Sequence, residues 1–280
     1  MTKITDLQGT FTLHNNIEMP YLGLGTYKAD NAQEVIDSVK KALNSGYRHI
    51  DTASAYNNEE GVGKGILQSN VAREEVFLVS KLWNADQGYE TTLKAFEETL
   101  ERLGVDYLDL YLIHWPVAGK YKDSWRAMEK LYKEKRIRAI GVSNFLKHHL
   151  EDLLETAEIV PMVNQMEFHP FLVQQELIDF CKDKSIQYES WSPFMHGKVF
   201  DSKSAKFDLL TEKYGKSIAQ IILRYNLQKG VAAIPKSVQE KRIKSNAEIF
   251  DFELSDADMG YLDGLDQGER NGPDPDNFKF

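Results

Sequence analysis

The stretch VFLVSKLWNADQGYETTLKAFEETLERLGVDYLDLYLIH, residues 76–114, spells out one strand–helix–strand unit. Residues 76–81 are a short β-rich apolar run. Over residues 91–102 the period changes, and Leu93, Phe96, Leu100 and Leu103 fall on one face of a helix. Residues 108–114 return to a strand pattern. The same alternation extends in both directions. Upstream it predicts strands at 21–26 and 47–52 with helices at 33–44 and 59–68. Downstream it predicts helix 124–134, strand 137–142, helix 146–156, strand 162–167, helix 174–184 and strand 186–191. After a longer insertion come helix 217–228, strand 231–234 and helix 240–249.

Eight βα units point to a parallel sheet covered by helices. Periodicity alone does not choose a closed barrel over an open doubly wound sheet. The count of eight and the 280-residue length favour an α/β fold of the (β/α)8 TIM-barrel type, as a single domain over residues 1–280. Residues 11–13 and 17–19, joined through Asn15-Asn16, predict a small β-hairpin ahead of the first strand. Residues 266–280, rich in Gly, Pro, Asp and Asn, read as an irregular tail.

The formal net charge of −9 makes the chain a poor candidate for general nucleic-acid or anionic-membrane binding. One cysteine, Cys181, excludes an internal disulfide framework and a CxxC metal site. No apolar run approaches the ~18–20 residues that span a membrane, and the first residues lack the apolar core of a signal peptide. The expectation is a cytoplasmic protein.

In a βα barrel, polar residues at the carboxyl ends of strands line the active site. Asp51, Lys81 and His114 end the second, third and fourth strands, with Tyr56 just past the second. Ser143-Asn144 ends the fifth, Gln165 lies on the sixth, Trp191 ends the seventh and Lys236-Ser237 the eighth. Asp51 and Lys81 on neighbouring strands could compensate each other as a buried ion pair. A lysine near Tyr56 is expected to lower the phenol's pKa from about 10 towards the working range of a proton donor. His114 could orient a carbonyl oxygen. Trp191 offers a flat face for a nicotinamide, and Ser143, Asn144 and Gln165 offer the groups its carboxamide needs. Lys236, Ser237 and Arg242 stand where such barrels build phosphate sites.

The segments GYRHIDTASAYNNEEGVGKGI, SKLWN, LDLYLIHWP, IGVSNF, VNQMEFHP and IPKSVQEKRIKSNAEIFDFELS resemble those of aldo-keto reductases, over nearly the whole chain. The tail and the short segment after Trp191 resemble a prokaryotic-type subgroup that includes glyoxal, methylglyoxal and diketogluconate reductases. The resemblance implies a catalytic tetrad of Asp51, Tyr56, Lys81 and His114, with Tyr56 as proton donor. It implies cofactor contacts at Gly25, Thr26, Ser143, Asn144, Gln165, Trp191, Ser192, Lys236, Ser237, Arg242 and Asn246. It implies a substrate pocket walled by Tyr27, Trp83 and Trp115 and covered by the tail, with no metal. The implied reaction is hydride transfer from NADPH to a small aldehyde or ketone, diketo sugars included, by a monomer. Ser190 and Phe194-Met195-His196 depart from the family pattern.

Plainer readings stand beside these. His49 is expected to pack, His148 and His149 to be solvated, His169 to be structural and Cys181 to be an ordinary helix residue. Gly61-x-Gly63-x-Gly65 lies inside a helix, so it reads as close helix packing and not as a dinucleotide fingerprint. Two other functions remain open. One is a non-catalytic NADPH-binding protein on the same fold, revealed by tight binding without turnover. The other is a Schiff-base aldolase using Lys81 or Lys236, revealed by borohydride trapping.

Overall fold

A computed structural model describes residues 4–29 and 32–280. Residues 1–3 of the amino-terminal stretch read above, and residues 30–31, lie outside the described residues. Strands β1 (Thr10–Thr12) and β2 (Glu18–Pro20) pair antiparallel with Phe11 opposite Met19, so the expected hairpin is present. Asn15 donates to the Arg138 carbonyl at 2.9 Å, which pins the hairpin to the amino-terminal end of a barrel strand.

The main sheet has eight parallel strands in chain order. They are β3 (Leu24–Gly25), β4 (His49–Asp51), β5 (Phe77–Leu82) and β6 (Leu108–Ile113). There follow β7 (Ile137–Ser143), β8 (Val163–Glu167), β9 (Gln187–Trp191) and β10 (Ala232–Ala233). Parallel bridges from Leu22 to Ala233 and from Gly25 to Lys236 join the two ends, so the ring closes. The seam is tight: a Cβ on Gly25 would lie 2.7 Å from the Ile234 carbonyl oxygen, so only glycine lets the last strand come this near. The seam strands are shorter than their sequence patterns. Their outer residues bond across the closure, as Gly23 N to Ala233 O (2.9 Å) and Ala233 N to Tyr21 O (3.0 Å), and do not extend a regular ladder.

Helices α1 (Ala32–Asn44), α2 (Glu59–Leu67), α3 (Tyr89–Leu103), α4 (Tyr121–Lys133), α5 (Lys147–Leu154) and α6 (Gln175–Asp183) follow the first six barrel strands. The insertion after β9 carries two short helices, α7 (Lys198–Asp201) and α8 (Asp208–Tyr214), before α9 (Ile218–Gln228). Helix α10 (Glu240–Ala247) follows β10, and α11 (Asp256–Asp263), absent from the sequence expectations, is capped by the Ser255 hydroxyl accepting from Asp258 N at 3.3 Å. Helix α3 shows why the pattern works: Phe96, Leu100 and Leu103 face the barrel and are buried, and the helix stops at Gly104 in the left-handed region. The glycines of α2 serve packing. A Cβ on Gly63 would collide with the Leu103 carbonyl, and one on Gly65 would lie 2.9 Å from the Ile36 carbonyl. Cys181 is buried on α6. Among the described residues, no helix is long and apolar enough to cross a membrane.

Candidate active site

Strand alternation turns Asp51 and Lys81 inward at the carboxyl rim, where each is almost wholly buried. The Lys81 ammonium lies 2.6 Å from Asp51 Oδ1 and donates to the Thr52 carbonyl at 2.8 Å. Its third neighbour is the Tyr56 hydroxyl at 3.5 Å. Tyr56 sits on a single 3₁₀ turn, Ser54–Tyr56, which ends because Asn57 adopts a left-handed backbone (φ 54°). The His114 ring stands edge-on to Tyr56 with centroids 5.7 Å apart. The four tetrad side chains therefore converge at one mouth of the barrel.

Burial pushes the Asp51 carboxyl up, and the adjacent ammonium pulls it back. Burial would lower Lys81, but Asp51 and Tyr56 outweigh it and hold the amine above its ordinary value. A buried ammonium is a poor nucleophile, which argues against Schiff-base chemistry at Lys81. Burial also lowers His114 well below its ordinary value, so the ring is neutral and can donate one hydrogen bond to a carbonyl oxygen. The expectation for Tyr56 is corrected in sign. Burial pushes the phenol up to about 12, and Lys81 pulls the other way without prevailing. The reason is local: Asp51 neutralises much of the lysine's field. Tyr56 thus keeps its proton at neutral pH, and Lys81 is placed to stabilise the phenolate once that proton leaves.

A cavity of about 1140 Å³ runs from the tetrad to the seam of the barrel. Gly25, Ser143, Asn144, Gln165, Trp191, Ser192 and Lys236 line it. Trp191 is fixed at its edge by Nε1–H donating to Asn144 Oδ1 at 3.0 Å. Asn144 donates in turn to the His114 carbonyl (3.0 Å) and Ser143 Oγ (3.1 Å). The Ser192 hydroxyl is buried and has no hydrogen-bond partner among the described residues, an orphan that a bound polar group would satisfy. Thr26 does not line this cavity. Its hydroxyl donates to the Asp51 carbonyl at 3.0 Å, so its side chain braces the tetrad strand. The lining ends at Lys236; Ser237 follows in the loop before α10, Arg242 lies in the first turn of α10 and Asn246 near its carboxyl end. The exposed side chains of Lys236 and Arg242 make no ion pair among the described residues. Unpaired cations beside a helix amino end, in an acidic chain, suit a phosphate. The donor set and the orphaned hydroxyl fit a nicotinamide dinucleotide carrying an extra phosphate.

Tyr27, Trp83 and Trp115 all reach the tetrad end of the cavity. Tyr27 lies 5.0 Å from the Tyr56 ring and 6.3 Å from the ring of His196, which belongs to the departing Phe194-Met195-His196 segment. The tail roofs the pocket: Phe280 stacks on Trp83 at 5.7 Å with planes 3° apart and meets Trp115 edge-on at 5.2 Å. Its anchor was not anticipated. The buried Glu167 carboxylate accepts from the Asn271 amide at 2.9 Å and the Gly272 amide at 3.0 Å, and lies 3.2 Å from His169 Nε2. His169 is thus structural, as expected. His148 and His149 are not merely solvated. His148 Nε2 lies 2.9 Å and His149 Nε2 3.4 Å from Asp276 Oδ1, fastening the tail to α5. His149 Nδ1 accepts from Leu146 N at 3.2 Å, which leaves the proton on Nε2, facing the carboxylate.

Glu189 also escaped sequence reasoning, although its signal was legible. It precedes Trp191 by two on β9, so the two side chains share the inward face. Gln165 Nε2 donates to Asp51 Oδ2 and to Glu189 Oε2, both at 2.8 Å, so the expected carboxamide ligand is also a bridge beneath the tetrad.

Comparison with known proteins agrees with this geometry. The family model described as "Aldo/keto reductase family" matches residues 21–267. A glyoxal reductase of Bacillus subtilis is 60% identical over 276 residues, covering 99% of each chain. The methylglyoxal reductase DkgA of Salmonella typhimurium is 48% identical over 264 residues, covering 93% of this chain and 94% of its own. Among solved structures, a mutant of Gox0644 in complex with NADPH superposes with a TM-score of 0.92 at 40% identity, covering 98% of this chain and 99% of that one. With the tetrad assembled at the barrel mouth and the family match spanning nearly the whole chain, the protein belongs to the aldo/keto reductase family.

Proposed function

We propose that this protein reduces small aldehydes and ketones to alcohols with NADPH, glyoxal and methylglyoxal being the nearest substrate class and diketo sugars lying within range. The observation that carries the reading is the Lys81 ammonium held between Asp51 and the Tyr56 hydroxyl at the mouth of a cavity that extends past Trp191 to Lys236. NADPH supplies the hydride when bound. Trp191 offers the stacking face, Ser143, Asn144, Gln165 and Ser192 the polar contacts of the nicotinamide end, and Gly25 close backbone approach. Lys236, Ser237 and Arg242 hold the 2′-phosphate, with Asn246 near the adenine. Neutral His114 orients the carbonyl oxygen. Tyr56 delivers its proton to the alkoxide, and Lys81 stabilises the phenolate that remains. Asp51 keeps that lysine charged. Tyr27, Trp83 and Trp115 enclose the carbon skeleton.

The protein acts as a single-domain cytoplasmic monomer with no nucleic-acid partner. Its acidic balance speaks against a nucleic-acid partner, and its one cysteine, buried and free, suits a reducing compartment. The test is NADPH oxidation with methylglyoxal. Tyr56→Phe should lose about 10²–10⁴ in rate, the usual worth of a positioned general acid; undiminished turnover overturns the assigned donor. Arg242→Ala should raise the KM for NADPH far more than that for NADH, and equal changes overturn the phosphate site. Tight NADPH binding without turnover across a broad carbonyl panel would favour a non-catalytic role.

A further inference from the structure

Beneath the tetrad lies a second pair of buried titratable groups that the reaction does not use. Glu189 and His49 are both fully buried on neighbouring inward-facing positions of β9 and β4. Glu189 Oε2 accepts from Gln165, whose other contact is Asp51. Among the described residues, neither Glu189 Oε1 nor either ring nitrogen of His49 makes a well-formed hydrogen bond; the Pro20 backbone faces the ring and favours its protonated form. The nearest approach between them is His49 Nε2 to Glu189 Oε1 at 3.5 Å. The ring packs edge-on to Phe77, and room for it exists because residue 23 is glycine: a Cβ there would lie 2.7 Å from His49 Cγ.

We infer that Glu189 is a positioning residue for the reductase chemistry: it stays a neutral carboxylic acid beside a neutral His49 at neutral pH, and through Gln165 keeps the Asp51–Lys81 pair free of a second anion. This rests on the reading of Tyr56 as proton donor. At 3.5 Å, with both groups fully buried and few other hydrogen bonds to either, the attraction of an ion pair would not repay the desolvation of two charges, so both partners are neutral. Burial, with Asp51 nearby, pushes the Glu189 carboxyl up to about 8. Burial pushes His49 down to about 3, so the acid holds the proton. The titratable groups facing Glu189 are His49 and Asp51 from β4 and Lys81 from β5. Strand β8 faces it with Gln165 and β10 with Ala232, neither of which titrates.

The consequence has a sign. When Glu189 gives its proton to solvent, a new anion appears beside Lys81 and offsets the charge that must stabilise the Tyr56 phenolate. Reduction should therefore slow at alkaline pH, and a neutral isostere should not share that loss.

The experiment is the pH profile of kcat for methylglyoxal reduction at saturating NADPH, for the wild type, Glu189→Gln and Tyr56→Phe. The wild-type rate should fall towards about tenfold per pH unit above a midpoint near 8. In Glu189→Gln that limb should move up by about one unit or more. Superimposable wild-type and Glu189→Gln profiles, with Tyr56→Phe inactive, overturn the role of Glu189 alone. Full activity in Tyr56→Phe overturns the donor reading. An infrared difference spectrum across the same midpoint gives a readout independent of activity. The carbonyl stretch of a buried carboxylic acid should vanish on the alkaline side in the wild type and be missing from Glu189→Gln. If that variant does not fold, the wild-type spectrum decides, and no such band overturns the inference.

Discussion

Replacing Lys81 by methionine keeps an unbranched side chain of similar length and removes the ammonium. The variant tests whether the charge of the tetrad is held by one interaction. Asp51, 2% exposed, would be left with one side-chain donor, Gln165 Nε2 at 2.8 Å. An uncompensated buried carboxylate takes up a proton. Protonating an ordinary carboxyl at pH 7 costs about 1.4 kcal/mol per unit over about three units, hence about 4 kcal/mol at most. That agrees with the ~3–5 kcal/mol found when one partner of a buried pair is removed. The cost has a pH signature. The variant's carboxyl is protonated when folded but ionises when unfolded above its ordinary value. The stability deficit therefore grows with pH at up to about 1.4 kcal/mol per unit and fades near pH 4. Urea unfolding of the wild type, Lys81→Met and Asp51→Asn/Lys81→Met at several pH values measures it. The double variant, with no carboxyl to bury, should recover most of the loss. Both variants should lose about 10²–10⁴ in turnover, because the Tyr56 phenolate has no cation beside it. A deficit that does not change with pH, or a double variant no more stable than the single one, would refute the reasoning.

Gly272→Ala places a methyl inside the contact radius of Trp191 Cη2 and 3.0 Å from Cζ3, while the backbone amide is held by Glu167. The tail must lift, so the KM for small carbonyls should rise and the tryptophan emission should shift; unchanged values in both would show that the tail is not seated on Trp191. Phe280→Ala removes the ring stacked on Trp83 and should relax selectivity towards bulkier carbonyls in a competition assay, with little change in melting temperature. Because burial raises Glu189, the folded chain binds more protons than the unfolded one between the ordinary carboxyl value and about 8. Stability should fall as pH rises through that window, and calorimetry of Glu189→Gln should show a shallower fall.

The tetrad was legible because strands have a period of two and barrels place chemistry at their carboxyl rims, so a polar residue ending an apolar run is informative wherever the run sits. Asp51, Lys81 and His114 all carry that mark, and helix faces such as that of α3 followed from a 3.6 period. The sign of the Tyr56 shift was not legible. It depends on how much of Lys81's field Asp51 cancels and on how deeply the phenol is buried, and both are distances between separate strands. The partners of Glu189 and Glu167 were not legible, because an acidic residue in a strand has the same local signature whether it meets solvent, a histidine or a backbone amide; the period of two alone marked Glu189 as sharing the inward face of Trp191.

Periodicity along the chain therefore settled the element order, the count of eight and the residues offered to the rim, since these are properties of neighbours in sequence. Closure at Gly25, the meeting of Glu189 and His49 beneath the tetrad and the tail laid over Trp83 depend on contacts between residues far apart in the chain. Such contacts exist once the ring is shut, because burial and charge compensation are fixed by what lies across the cavity.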